Sequence, residues 1–330
     1  MKGSSRNDAL DFTKGALVLI MVLYHWLNYF VTLQWDVYRY LRFLTPSFIL
    51  ITGFIVSNVY LSKGTSPDRR TYRRLLVRGG KLLLLFTLLN LAIGSVMSHN
   101  YNGGDLSVAA FARNAYEVYV TGNGRAAFDV LVPISYFLLL APLVLYASDR
   151  FGLSLRGVGA AAVTTALVAS AIGRTSVNLE LVSIALLGMA LGTLPIVRIN
   201  ELLRRPLPLF LAYVVYLVVV AKWNVLFPVQ VVGVCLSLAL IYLAGVRAGS
   251  EGPVQRQVIE LGKYSLFAYI AQVVLLQLLH RGLRSLDLHG AEQLIPFAAA
   301  LALTVAVVQM TSFARSTSVV VDRVYRVVFA

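Results

Sequence analysis

Three ionisable side chains lie in the first apolar segment of the chain, LDFTKGALVLIMVLYHWLN. Asp11 and Lys14 are three residues apart, which is close enough for an ion pair on one helical turn. His25 follows Lys14 by 11 residues, which puts both side chains on one helix face, about 16 Å apart. We therefore expect a cation that binds an anion and, at another depth, a base that is mostly neutral because its unperturbed pKa is about 6.5.

These side chains also have purely structural interpretations. An ionisable residue inside a spanning helix costs about 2.5 to 3.5 kcal/mol by insertion scales, so each is a functional candidate by default. The alternative for Asp11 and Lys14 is an interfacial pair whose lysine extends to the lipid headgroups. The alternative for His25 is a hydrogen-bonded packing residue.

The composition defines the kind of protein that positions these residues. Of 330 residues, 58% are hydrophobic and 13% charged, which is too apolar to cover a soluble domain. Apolar windows of about 20 residues, the length of a spanning helix, recur about ten times. We predict an all-α, polytopic integral membrane protein with about ten transmembrane helices in one domain over residues 1–313, followed by a cytoplasmic tail over 314–330. The weakest windows are 157–173 and 206–222.

The formal net charge of +14 has a membrane explanation. With both termini in the cytoplasm, most of the 29 Lys and Arg residues fall on the inner side, as the positive-inside rule requires. The loop between the second and third windows, SKGTSPDRRTYRRLLVRGGK, contributes most of this signal. We therefore predict cytoplasmic N- and C-termini and no nucleic-acid partner.

Several other kinds of site lack their sequence patterns. Cys235 is the single cysteine, so neither a disulfide nor a cysteine-based metal site forms within one chain. The four histidines show no HExxH pattern and no i, i+4 pair, so no metal is expected. A GxSxG nucleophile elbow and a Walker-type phosphate loop are also absent.

Three motifs, in order along the chain, resemble the membrane-bound acyltransferase-3 superfamily. The first is LDxxKG with a histidine separated from its lysine by ten residues, formed here by Leu10, Asp11, Lys14, Gly15 and His25. The second, in SFILITGFIVS, is similar to the FFxxSGF signature of the second helix, through Thr52, Gly53 and Phe54.

The third motif, in LGKYSLFAYIAQVVLL, resembles the G-x-x-S-L-x-x-Y-x-x-H segment of the superfamily through Gly262, Ser265, Leu266 and Tyr269. Two positions depart from the family pattern. Gln272 stands where the third motif usually has histidine, which weakens any role for that position as a base. Lys14 replaces the commoner arginine, which keeps the charge but loses bidentate phosphate geometry.

The resemblance implies an enzyme. The superfamily includes surface-glycan O-acetylases and periplasmic-glucan succinyltransferases, and heparan-glucosaminide N-acetyltransferase-like proteins are relatives. By this resemblance, an acetyl or succinyl-type group moves from cytoplasmic acyl-CoA to a hydroxyl of a cell-envelope glycan or lipid-linked saccharide. The expected setting is the bacterial inner (plasma) membrane, with acyl-CoA as the donor substrate, membrane lipids as partners and no permanently bound cofactor.

The resemblance also suggests roles for individual residues. His25 is the predicted general base or, as an alternative, a nucleophile that carries a transient acyl group. The carboxylates that accompany it as catalytic candidates are Asp11, Asp129 and Glu180. The last two have Arg125 and Arg174 nearby, so structural ion pairs are their alternative role.

Binding residues complete the prediction. A basic inner mouth for the phosphates of acyl-CoA is predicted from Lys14, Arg78, Lys81 and Lys263. For the basic loop between the second and third windows, the alternative role is a topology signal that contacts anionic lipids. The acceptor site is predicted to include Arg39, Arg42, Asn28, Tyr269 and Gln272. The alternative for the two arginines is headgroup contact.

Two other classes of function fit part of the pattern. A carrier or flippase for an envelope precursor would also use polar residues at several depths and interrupted helices, although we find no inverted repeat. A non-catalytic membrane partner would keep the fold without the chemistry. Gln272 leaves that class open, whereas intact Lys14 and His25 oppose it.

Overall fold

The computed structural model describes residues 7–31, 35–60, 68–96, 108–123, 126–174, 176–223, 225–283 and 290–329. Within these ranges the α-helices are α1 Asp8–Trp26, α2 Trp35–Leu41, α3 Leu44–Tyr60, α4 Arg69–Val96, α5 Val108–Tyr116, α6 Leu131–Phe151, α7 Leu155–Ala171, α8 Val177–Leu191, α9 Ile196–Leu202, α10 Pro206–Lys222, α11 Phe227–Ala248, α12 Pro253–Lys263, α13 Ser265–Gly282, α14 Leu294–Thr317 and α15 Val319–Phe329. Short π-helical turns, Leu27–Val31 and Glu117–Thr121, continue α1 and α5.

The helices are those of a polytopic membrane protein, as predicted. In the described part of the chain, six helices are long and apolar enough to cross a membrane. The number rises to eight if each of two bent pairs, α8 with α9 and α12 with α13, is one span. The two weakest predicted windows form α7 and α10, which are apolar but only 17 residues long.

The chain divides into two compact units. The first unit contains residues 1–47 and 202–330, and the second contains residues 48–201. The predicted boundary between residues 313 and 314 falls inside α14.

The first unit is built around α1, which packs most extensively on α12 and also on α11 and α13. Its C-terminal end and the π-helical turn that follows contribute to a hydrophobic cluster formed by Val22, Trp26, Leu27, Leu276 and Ala300. Asn7 caps the start of α1 by accepting a hydrogen bond from the backbone nitrogen of Leu10. This helix therefore lies in the centre of its unit, where its polar residues are enclosed by neighbouring helices.

A sharp bend separates α12 from α13. The two helices meet at Tyr264 with an angle of 92° between them. Helix α15 packs on this bend, because Tyr325 stacks on Tyr264 with 5.4 Å between ring centroids. The Arg315 guanidinium lies 4.0 Å from the Tyr325 ring centre and donates to Asp322 on α15. The last helix is therefore fixed to the bend by aromatic and charged contacts.

The second unit contains a helix crossing with backbones in contact. Cβ atoms at Gly53, Gly188 and Gly192 would overlap the backbone carbonyl oxygens of Ala185, Leu50 and Phe54. The Ser57 hydroxyl donates a hydrogen bond of 2.6 Å to the carbonyl of Met189 across the same crossing. Close approach of α3 and α8 therefore depends on residues without a Cβ.

Candidate active site

Helices α1 and α12 cross with their backbones in contact at two glycines. A Cβ atom at Gly15 would overlap the carbonyl oxygen of Val258, and one at Gly262 would overlap that of Asp11. Each added Cβ would also lie 3.0 Å from the backbone nitrogen of the other glycine. The crossing therefore requires glycine on both helices and brings the first and third sequence motifs together.

A buried ion pair lies at this crossing. The Nζ of Lys14 is 2.6 Å from Oδ1 of Asp11, and Asp11 is only 3% exposed, so the pair that the spacing predicts is formed. On α12, the Nζ of Lys263 lies 3.1 Å from Oε2 of Glu260. The other oxygen of Glu260 accepts a hydrogen bond from Ser312. Because Lys263 is exposed and Lys14 is largely buried, the two lysines lie in different surroundings.

His25 lies further along α1, among aromatic rings. Its ring centroid is 5.2 Å from that of Tyr24 and 6.4 Å from that of Tyr269 on α13. The Nε2 atom is buried, and it has no hydrogen-bond partner among the described residues. The hydrogen bond that a structural packing role predicts for this histidine is therefore not made by Nε2 within the described residues.

Gln272 is one helical turn beyond Tyr269 on α13 and is completely buried. Within the described part of the chain, neither its Oε1 nor its Nε2 has a hydrogen-bond partner. Buried polar groups are nearly always satisfied. A buried histidine nitrogen and a buried carboxamide, both unsatisfied, therefore belong to the packed helices α1 and α13.

The family comparison agrees with the motifs at this site. A family model described as an acyltransferase domain matches residues 7–312. The chain belongs to the acyltransferase-3 family. Comparisons with curated proteins and with solved structures find no significant match. The family match supports a multi-pass membrane protein with an acyltransferase domain, and it contains all three motifs.

Two of the predicted acceptor-site residues of this family member bind backbone carbonyls. The Arg39 guanidinium donates to Ala221, at 2.9 Å, near the end of α10. Arg42 donates to Val225 at 3.4 Å and accepts at its own carbonyl from Gln230. Both arginines therefore hold the connection between α10 and α11. Asn28, another predicted acceptor-site residue, is exposed in the π-helical turn after α1.

The remaining residues predicted to bind the donor, Arg78 and Lys81, lie on α4 in the second unit. Arg78 is exposed and Lys81 is half-buried. Gly79 lies between them and faces α6, where an added Cβ would be 3.0 Å from the carbonyl oxygen of Ser135. The first turns of α4 carry four further exposed arginines, Arg69, Arg70, Arg73 and Arg74. Helix α4 therefore presents a strongly basic surface.

Asp129 follows a bulky residue whose backbone has an unusual conformation. Phe128 has a φ of 60° and is buried, a left-handed conformation that is strained for such a side chain. The side chain of Asn90 holds the preceding residue from both sides, since it donates to the carbonyl of Ala127 and accepts from its nitrogen. Asp129 and Asn178 both line a small cavity.

The two expected ion pairs with carboxylates have different outcomes. Glu180, in the first turn of α8, forms no ion pair with Arg174 among the described residues, so that alternative role is not observed. Arg125, the expected partner of Asp129, lies outside the described residues.

Among the described residues, no group of three or more His, Cys, Asp or Glu side chains is arranged to hold a metal ion. The His280 ring packs at a tilt against Tyr29 and edge-on against Phe30, with centroid distances of 5.8 and 5.3 Å. His99 and His289 lie outside the described residues.

The sequence alone did not reveal the tertiary role of three residues. The sequence identifies Gly15 and Gly262 as motif residues but does not predict that they contact each other. Their positions next to Lys14 and Lys263 were a signal that could have suggested a close helix crossing. Tyr264 lies between two motif residues, and it marks both the bend and the docking point of α15.

Proposed function

We propose that this protein transfers an acetyl or succinyl-type group from cytoplasmic acyl-CoA to a hydroxyl of a cell-envelope glycan or lipid-linked saccharide. The observation that carries the proposal is the buried Nε2 of His25 beside Tyr269, which no described residue hydrogen-bonds, in a member of the acyltransferase-3 family. A general base needs an available nitrogen in a site that excludes water.

In the proposed reaction, His25 Nε2 removes the proton of the acceptor hydroxyl as its oxygen attacks the thioester carbonyl carbon. The tetrahedral intermediate collapses with cleavage of the carbon–sulfur bond. The thiolate leaving group takes the proton from the imidazolium, which releases the CoA thiol and the acylated acceptor. Protons and electron pairs balance without a metal or a redox cofactor.

The donor is proposed to bind on the cytoplasmic side through its phosphates. Lys14 is the central cation because it is largely buried at the motif crossing, and Asp11 compensates its charge in the absence of donor. Lys263 is a further proposed cation in the same unit, and Arg78 and Lys81 of α4 stay predicted donor-binding cations. Their guanidinium and ammonium groups suit phosphate oxygens through charge-assisted hydrogen bonds.

The proposed acceptor site includes Asn28, Tyr269 and Gln272, with Arg39 and Arg42 as fixed positive charges at its edge. Asp129 and Glu180 stay candidate catalytic carboxylates by the resemblance to the family. The topology that suits this chemistry has ten spans, cytoplasmic termini and a cytoplasmic tail, in the bacterial inner membrane, so that donor and acceptor approach from opposite sides.

Donor binding is the first test. Purified protein is titrated with acetyl-CoA and succinyl-CoA by calorimetry, as wild type, Lys14→Ala and, as a matched control, Lys222→Ala at the exposed end of α10. We expect binding of one donor that weakens at least tenfold in Lys14→Ala and is unchanged in Lys222→Ala. Absence of binding by folded wild-type protein contradicts the proposal and favours a carrier or a non-catalytic partner.

The base is tested by transfer to envelope glycans in cells. We expect His25→Ala to abolish transfer while the protein is inserted and produced at the normal level. His280→Ala is the matched control, because it removes a histidine that packs against aromatic rings in the same unit. Transfer by His25→Ala at the wild-type rate removes His25 from the mechanism.

A further inference from the structure

Two glutamines on α13 differ in how their side chains are satisfied. Gln277 donates a hydrogen bond of 3.0 Å to the hydroxyl of Tyr29. Gln272 is fully buried, and no described residue hydrogen-bonds to either of its amide atoms. An unsatisfied buried donor or acceptor destabilises a fold, whereas an apolar side chain of similar size carries no such penalty. The packing of α13 therefore gives no reason for glutamine at this position.

The register of α1 against α13 places Gln272 close to the level of His25. The two helices run in the same direction, since His25 contacts Tyr269 and, further along, Tyr29 contacts Gln277. Leu276 packs in one cluster with Val22, Trp26 and Leu27 of α1. Gln272 lies between Tyr269 and Leu276 on the same side of α13, because offsets of three and four residues share a helix face.

The chemistry of a carboxamide indicates what binds there. Its Nε2 donates hydrogen bonds without carrying a charge, which suits a carbonyl oxygen that becomes negative only in the transition state. We infer that the Gln272 carboxamide donates a hydrogen bond to the carbonyl oxygen of the acyl group while His25 acts on the acceptor hydroxyl. This inference rests on the proposed function and makes Gln272 a catalytic residue.

The role within the step is specific. As the acceptor oxygen bonds to the thioester carbon, the carbonyl electron pair moves onto oxygen and the Gln272 N–H stabilises that oxyanion. When the carbon–sulfur bond breaks, the pair returns and the carbonyl re-forms in the ester product. Gln272 exchanges no proton with the substrate, so it acts at a position that usually holds histidine in the family without serving as a base.

The experiment compares Gln272→Met with Gln277→Met, which removes the satisfied glutamine from the same helix. We expect Gln272→Met to lower the turnover number about 100-fold while donor affinity changes less than threefold. Its melting temperature without substrate equals or exceeds that of wild type, because an unsatisfied group is removed. Gln277→Met keeps its turnover and melts at a lower temperature, because it loses a hydrogen bond.

A second variant tests the donor function directly. Gln272→His restores an N–H donor, and we expect its turnover to lie within about tenfold of wild type. Unchanged turnover in Gln272→Met, or a lower melting temperature of that variant, overturns the inference while donor binding and transfer by wild type still support the proposed function. Failure of wild type to bind or transfer any donor overturns both.

Discussion

Two helix crossings in this protein use glycine in the same way and differ in what they carry. In the first unit, Gly15 and Gly262 bring the backbones of α1 and α12 into contact beside the buried pair of Asp11 and Lys14. In the second unit, α3 and α8 meet through Gly53, Gly188 and Gly192, the last of which directly follows α8. Helix α3 contains no Lys, Arg, His, Asp or Glu.

The two crossings differ in the charged pair that lies beside only the first of them. Close backbone contact is a general way to hold membrane helices together, because small residues increase van der Waals contact where no hydrophobic drive exists between helices. The α3–α8 crossing needs nothing more, and Ser57 adds one hydrogen bond across it. A charged pair adds a desolvation cost that packing does not require. The buried pair therefore distinguishes the crossing of α1 and α12, where we propose that the donor binds, from the crossing of α3 and α8.

The largest expected effect is the loss of one partner of the buried pair. Asp11→Leu leaves the Lys14 ammonium without its compensating carboxylate, and we expect a loss of about 3 kcal/mol in the free energy of unfolding. Unfolding by SDS in mixed micelles measures it. The double variant Asp11→Leu/Lys14→Met gives the first crossing the apolar character of the second, and we expect it to recover stability without recovering donor binding. A double variant no more stable than Asp11→Leu contradicts this comparison.

Glycine substitutions test whether the two crossings are equally tight. Gly15→Ala and Gly53→Ala each place a methyl group on a backbone carbonyl, and we expect each to lose about 2 to 3 kcal/mol of unfolding free energy. Donor affinity falls in Gly15→Ala only, since that change displaces the segment of Lys14. Equal donor affinity in the two variants shows that the first crossing does not position the donor site.

The hydrogen bond of the second crossing has a smaller expected effect. Ser57→Ala removes the hydroxyl that donates to Met189, and we expect a loss of about 1 kcal/mol in the same SDS titration. Donor affinity and transfer are unchanged, because Ser57 is not one of the proposed site residues. A change in donor affinity without a change in stability contradicts the purely structural role.

The smallest effect is expected at a helical glycine without a close neighbour. A Cβ at Gly80 on α4 meets nothing within 4 Å. Gly80→Ala should raise the unfolding free energy by about 0.5 to 1 kcal/mol, because alanine restricts the unfolded chain and favours the helix. It is the matched control for the alanine variants at both crossings. A loss of stability in Gly80→Ala shows that alanine is harmful in these helices for another reason.

The sequence predicts some features of this site and not others, for identifiable reasons. The pair of Asp11 and Lys14 was predictable because an offset of three residues within a helix fixes the geometry. The carbonyl contacts of Arg39 and Arg42 were not, because their partners lie about 180 residues away in sequence. The bends of 92° and 98° were also hidden, since a hydropathy window carries no direction.

By itself the sequence determined the helical membrane class, the family motifs and the face shared by Lys14 and His25, because these follow from composition and the periodicity of one helix. Only the tertiary structure decided that Gly15 meets Gly262, that α15 covers the bend at Tyr264, and that His25 Nε2 and the Gln272 amide are buried without partners among the described residues. Those properties depend on which distant helices pack together, and the spacing of residues along one helix does not contain that information.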